Sequence, residues 1–141
     1  MKTLIVEDDF VSRKLISHML MPLGECDLAA NGKEAIEAFN LALEDWKPYT
    51  LVCLDITMPE MNGHAVLQVM RKIEEKNNIA KANRTKVIMT TASADRENVM
   101  AAVKAECDGY LVKPIVRQKL MEKLIELGLL SGENDPAAVT G

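Results

Sequence analysis

Five short apolar runs set the limits on how this chain can fold: Leu4–Val6, Cys26–Ala30, Leu51–Leu54, Val87–Met89 and Tyr110–Val112. Cys26–Ala30 is the weakest. Most are continuously apolar rather than alternating, the pattern of parallel strands covered on both faces. Between them, apolar residues recur at intervals of three and four, as on amphipathic helices. Val11, Leu15 and Met19, with Ile16 and Leu20 alongside, form a first stripe; Ala35, Ile36, Phe39 and Leu43 a second; Val66, Val69, Met70 and Ile73 a third. Val99 and Val103 mark a fourth helical segment, and Leu120, Leu124 and Leu127 a fifth. Turn residues separate the units at Gly24, Asn31-Gly32 and Asp108-Gly109.

Strand–helix alternation repeated five times predicts an α/β fold, a doubly wound parallel sheet with helices on both faces. A flavodoxin-like, five-stranded sheet in the order 2-1-3-4-5, flanked by five helices, is expected. That order is the one known sheets of this class adopt; the residues alone do not dictate it. The 141 residues suit one domain, expected over 1–130. Residues 131–141, SGENDPAAVTG, lack aromatic groups and read as a disordered tail. The polar, basic stretch 76–86 reads as an extended loop.

A net charge of −4 argues against non-specific nucleic-acid binding. Three cysteines without close spacing suit reduced thiols better than a disulfide framework or a zinc site. No stretch is long and apolar enough to span a bilayer, and the N-terminus does not fit a signal peptide. A soluble, cytoplasmic protein is expected. His18 and His64 lie on predicted helices and read as ordinary helix-face residues. The nine methionines read as core filler.

In sheets of this kind, ligands bind beyond the carboxyl ends of the strands, where the strand order reverses. The first run ends in Glu7-Asp8-Asp9, the third in Asp55, the fourth in Thr90-Thr91 and the fifth in Lys113-Pro114. The predicted order brings these groups to one rim. Two carboxylates about 4 Å apart repel by roughly 4 kcal/mol at an effective dielectric near 20. Glu7, Asp8 and Asp55 can share that rim only with a cation or a shared proton. Oxygen ligands beside solvent suit Mg²⁺, which keeps waters and bridges to phosphates. With Lys113 contributing one positive charge, a single divalent ion neutralises the remainder. Metal, Lys113 and the Thr91 hydroxyl would clamp phosphoryl oxygens, and Asp55 would attack phosphorus to hold an acyl phosphate. Alone, Asp55 could equally be a helix cap or turn residue.

Four segments, IVEDD, LDITMPEMNG, MTTA and GYLVKP, occur in order at predicted strand ends. Together they resemble the receiver domain of two-component response regulators, in a stand-alone, chemotaxis-regulator-like form, over Met1 to Leu127. The resemblance implies that Asp55 is phosphorylated by a sensor histidine kinase or a histidine phosphotransfer protein. It implies that Asp8 ligates Mg²⁺ directly, Glu7 through water, with Asp55 and the Thr57 carbonyl as further ligands. Thr91 and Lys113 would grip the phosphoryl group, and Tyr110 would move its ring with the state. Asp9 is the fallback if the register of the acid pair slips. Thr50 stands where an acid is common in the family, and Thr57 and Ser93 flank the acceptor.

The function expected is a phosphorylation-operated switch limited to self-phosphorylation and self-dephosphorylation. Its face of fourth helix, last strand and fifth helix would be read by a downstream effector protein. Monomer and phosphorylation-dependent dimer both remain open. The enzyme alternative is a Mg²⁺-dependent aspartyl-phosphate phosphatase of the haloacid dehalogenase kind, but Thr57 stands where such enzymes carry a second acid. A flavodoxin would need a Ser/Thr-rich phosphate loop where Glu7-Asp8-Asp9 stands. Direct DNA binding is not expected, since little chain follows the fifth helix.

Overall fold

A computed structural model describes residues 1–92, 97, 100–101 and 106–132. Five strands form one parallel sheet in the order β2-β1-β3-β4-β5. They are β1 (Thr3–Val6), β2 (Cys26–Ala29), β3 (Leu51–Asp55), β4 (Lys86–Thr91) and β5 (Gly109–Val112). Four α-helices are described: α1 (Phe10–Leu20), α2 (Gly32–Glu44), α3 (Gly63–Lys76) and α4 (Arg117–Glu126). The expected helix at Val99 and Val103 lies outside the described residues, as do Ser93 and the expected tail beyond Gly132.

Alternation along each strand divides the core in two. Leu4, Val6, Val52, Leu54, Val87 and Met89 pack with Ala35, Phe39, Val66, Leu67 and Met70 of α2 and α3. Ile5, Leu51, Cys53, Ile88 and Leu111 face the other way, onto Ile16 and Leu20 of α1 and Leu120, Met121 and Leu124 of α4. The helix starts follow local chemistry: the side chains of Asp9, Asn31 and Asn62 accept hydrogen bonds from the backbone N–H groups of Ser12, Glu34 and Ala65. Each satisfies a donor that the first helical turn leaves without a partner.

The first stripe needs correction. Val11 and Leu15 are exposed, at 62% and 55%, and the buried face of α1 is Ile16 and Leu20. Both sets recur at a spacing of four, so periodicity could not choose between them; packing of the helix against the core did. The methionines divide likewise. Met58, Met70, Met89 and Met121 are core, whereas Met21 and Met100 are exposed. The stretch after α3 is less extended than expected, carrying a 3-10 turn at Lys81–Asn83 before β4 begins.

The N-terminal edge of the sheet is fastened by Arg71, whose role the sequence did not signal. Its Nη1 donates to Glu74 Oε1 at 2.8 Å and to the Thr85 carbonyl at 2.9 Å. Its Nη2 donates to the Glu106 carbonyl and to Asp108 Oδ2, both at 2.9 Å. Nε reaches the Glu106 carbonyl at 3.3 Å. The second oxygen of buried Glu74 accepts from the Thr85 N–H at 2.8 Å. One guanidinium thus uses all five of its donors to join α3, the start of β4 and the approach to β5. Removing one partner of a buried ion pair strands the other charge in a poor solvent. Arg71→Ala is therefore expected to cost about 3 kcal/mol of unfolding free energy in urea, and Glu74→Gln, which keeps a hydrogen-bonding group in place, clearly less.

Candidate functional site

At the C-terminal rim, β1 and β3 are neighbours with Val6 opposite Leu54. The next residue on each, Glu7 and Asp55, is therefore held side by side. Both are buried, at 1% and 3% exposure, while Asp8 is exposed. One carboxylate oxygen from each of Glu7, Asp8 and Asp55 lies within 4.8 Å of the other two. Asp9 is engaged otherwise, as the cap of α1. Arg13 donates to the Glu7 carbonyl at 2.8 Å and fixes the turn leaving β1.

Lys113 comes from the end of β5, where its N–H donates to the Thr91 carbonyl at 2.6 Å. Its Nζ lies 2.7 Å from Glu7 Oε2 and 3.3 Å from Asp55 Oδ1. The short contact to Glu7 makes Lys113 the charge partner of Glu7 Oε2, and the same ammonium also serves Asp55. Asp55 Oδ1 accepts from the Thr57 N–H at 3.2 Å. Gly63 seals the acceptor loop: its N–H donates to the Ile56 carbonyl at 2.8 Å, and a Cβ there would run into the Asp55 carbonyl. Thr91 is buried at the end of β4 and Tyr110 is half-buried on β5, packed against the α2–α3 core. Thr57 and Thr50 are exposed.

Burial pushes the Asp55 carboxyl up to about 7, and the nearby Glu7 charge pushes the same way, while Lys113 works against both. Burial opposes the charge on Lys113, but Glu7 and Asp55 outweigh it and hold the ammonium above its ordinary value. Three oxygen donors of hard, anionic character, two of them buried and sharing one ammonium, fit a small divalent cation such as Mg²⁺.

Fold and rim together define a doubly wound α/β domain with an acidic, cation-compatible site at its strand tips. Residues 3–125 match the family model of the response regulator receiver domain. A chemotaxis protein CheY homolog of Campylobacter jejuni is 34% identical over 94% of this chain and 97% of its own length. Hybrid signal transduction histidine kinase L of Dictyostelium discoideum is 33% identical over 90% of this chain, which spans 7% of that relative. The CheY structure in a CheX–CheY–BeF3–Mg²⁺ complex from Borrelia burgdorferi has a TM-score of 0.75 and 26% identity, covering 92% of this chain and 90% of that one. The chain belongs to the response regulator receiver domain family. None of these comparisons favours the phosphatase alternative. Among the described residues no helix is long and apolar enough to cross a membrane.

The raised Asp55 carboxyl has a consequence for stability. The folded state holds this proton to about pH 7, whereas the unfolded chain loses it near 3.8. Between those values the native state binds more protons, so this group removes stability as pH rises through the window. In EDTA, Asp55→Asn is expected to be more stable than the wild type at pH 8.5, with the gap shrinking at pH 5.5, as read from urea midpoints.

Proposed function

We propose that this receiver domain takes a phosphoryl group onto Asp55 from a phosphohistidine and holds it as a signal. The carrying observation is the crowded rim: Glu7, Asp8 and Asp55 within 4.8 Å, with the Lys113 ammonium against Glu7 and Asp55. In the transfer, an Asp55 carboxylate oxygen forms a bond to phosphorus and the phosphorus–nitrogen bond of the donor breaks. The released imidazole takes its proton from solvent. Hydrolysis by water returns the carboxylate and inorganic phosphate.

Asp8, Asp55, the Thr57 carbonyl and, through water, Glu7 would hold Mg²⁺. When bound, the ion supplies positive charge for phosphoryl oxygens and relieves repulsion among the acids. The chain's own groups do the rest. The N–H of Thr57 orients Asp55. Lys113, placed by its backbone on β4, exchanges a carboxylate partner for a phosphoryl oxygen, and the Thr91 hydroxyl takes another. Phosphorylation adds about two negative charges, which biases a two-state equilibrium involving Thr91 and Tyr110. An effector protein then reads the face that includes β5 and α4. The donor is a sensor histidine kinase or histidine phosphotransfer protein, and the reaction takes place in the cytoplasm. Chemistry is limited to Asp55 itself, without turnover of phosphomonoesters.

Intact mass after incubation with acetyl phosphate and Mg²⁺ tests this directly. One added phosphoryl group is expected in the wild type, and none in Asp55→Asn or in the wild type with EDTA. Labelling of Asp55→Asn would displace the assignment.

A further inference from the structure

Helices α2 and α3 end in the same kind of turn. After α2, the N–H groups of Trp46 and Lys47 donate to the carbonyls of Leu43 at 3.1 Å and Ala42 at 2.9 Å. After α3, those of Asn78 and Ile79 donate to Glu75 and Glu74, both at 3.0 Å. The left-handed residue of such a turn favours glycine, with asparagine the usual substitute. Asn78, at φ 56°, obeys this preference; Trp46, at φ 59°, does not. A bulky L side chain is disfavoured there by its own Cβ. The fold gains nothing in return, because Trp46 is 92% exposed. A residue that weakens its turn and buries nothing within the chain points outward.

Between the two turns runs a groove of about 720 Å³, within the range of ligand sites. Its walls include Trp46, Glu44, Asn40, Asn77, Asn78 and Asn83. Glu74 at its base is neutralised by Arg71 at 2.8 Å. None of the lining residues is Lys or Arg. Glu44 is therefore the one carboxylate there without an ion-pair partner among the described residues.

We propose that this groove docks an arginine-bearing, extended segment of a partner protein. The guanidinium would lie on the Trp46 indole face and pair with Glu44, since a planar cation suits both an aromatic face and a carboxylate. Asn77 already donates to the Ile73 carbonyl at 2.7 Å, while the amides of Asn40, Asn78 and Asn83 each carry a donor and an acceptor, the pair of groups a peptide backbone repeats. Tryptophan and arginine are both enriched among the residues that anchor interfaces. The groove reaches Thr85, just before β4, whereas Asp55 closes the far end of β3. Docking is thus separate from the acceptor rim and does not depend on phosphoryl chemistry there.

Trp46 is the only tryptophan, so its emission reports the groove directly. The full chain is titrated with a capped Gly-Arg-Gly-Arg-Gly peptide and with its Gly-Glu-Gly-Glu-Gly counterpart. A saturable blue shift is expected with the arginine peptide, and binding at least about tenfold weaker with the glutamate one. Glu44→Gln should weaken the arginine peptide about threefold. Trp46→Gly, followed by calorimetry, should lose binding while melting no lower than the wild type, which separates docking from folding. Adding Mg²⁺ and beryllofluoride should leave the affinity unchanged. Absence of saturation, equal response to both peptides, or indifference to Glu44→Gln overturns the proposal. So does a blue shift produced by raising protein concentration alone, which would assign the groove to a second copy of the chain.

Discussion

Repulsion between the carboxylates of Glu7 and Asp55, held in place by parallel pairing of β1 and β3, governs the chemistry of this domain. Neither acid can move away, because each follows a core strand residue, Val6 or Leu54, in fixed register. The rim relieves the conflict incompletely. Lys113 touches both acids, and Asp55 still keeps its proton to about pH 7. A site left in that condition has affinity for positive charge built into it. That is the property needed to hold a divalent ion and, through it, a phosphoryl group.

The two ends of the sheet are organised on opposite principles. At the N-terminal edge, Arg71 uses every donor it has and Glu74 both of its oxygens. At the C-terminal rim, two buried acids, Glu7 and Asp55, share the one ammonium of Lys113. A saturated network resists rearrangement, whereas an incompletely satisfied one has alternatives of similar energy. The first holds α3, β4 and β5 together, and the second has the slack that the proposed exchange of partners requires. Such a division lets chemistry at one rim proceed without loosening the other end.

Much of the rim is legible in the residues alone. Glu7, Asp8, Asp55, Thr91 and Lys113 stand out because each follows an apolar run, and a run too short and too apolar for a surface helix marks a strand. Once the strand order is supplied, the tips converge by topology alone. The fine placement of α1 is not legible, since Val11-Leu15 and Ile16-Leu20 carry the same spacing and only packing against Ile5 and Leu124 selects the second pair. Arg71 gives no signal, because an arginine on an amphipathic helix is ordinary. Its partners Thr85, Glu106 and Asp108 are remote in sequence. Trp46 is silent for a similar reason: nothing in a linear pattern reveals a left-handed backbone.

The sequence by itself determined the five strands, the helices α1 to α4, their order along the chain and the identity of the acids, hydroxyl and lysine at the strand ends. These follow from local hydrophobic period and from where each apolar run stops. Only the tertiary structure decided that Glu7 is as buried as Asp55, that Asp9 turns away to cap α1, and that Lys113 reaches both acids. Burial and distance between remote side chains depend on how strands register and helices settle on the sheet. Those are properties of the whole packed chain, which no local stretch of residues contains.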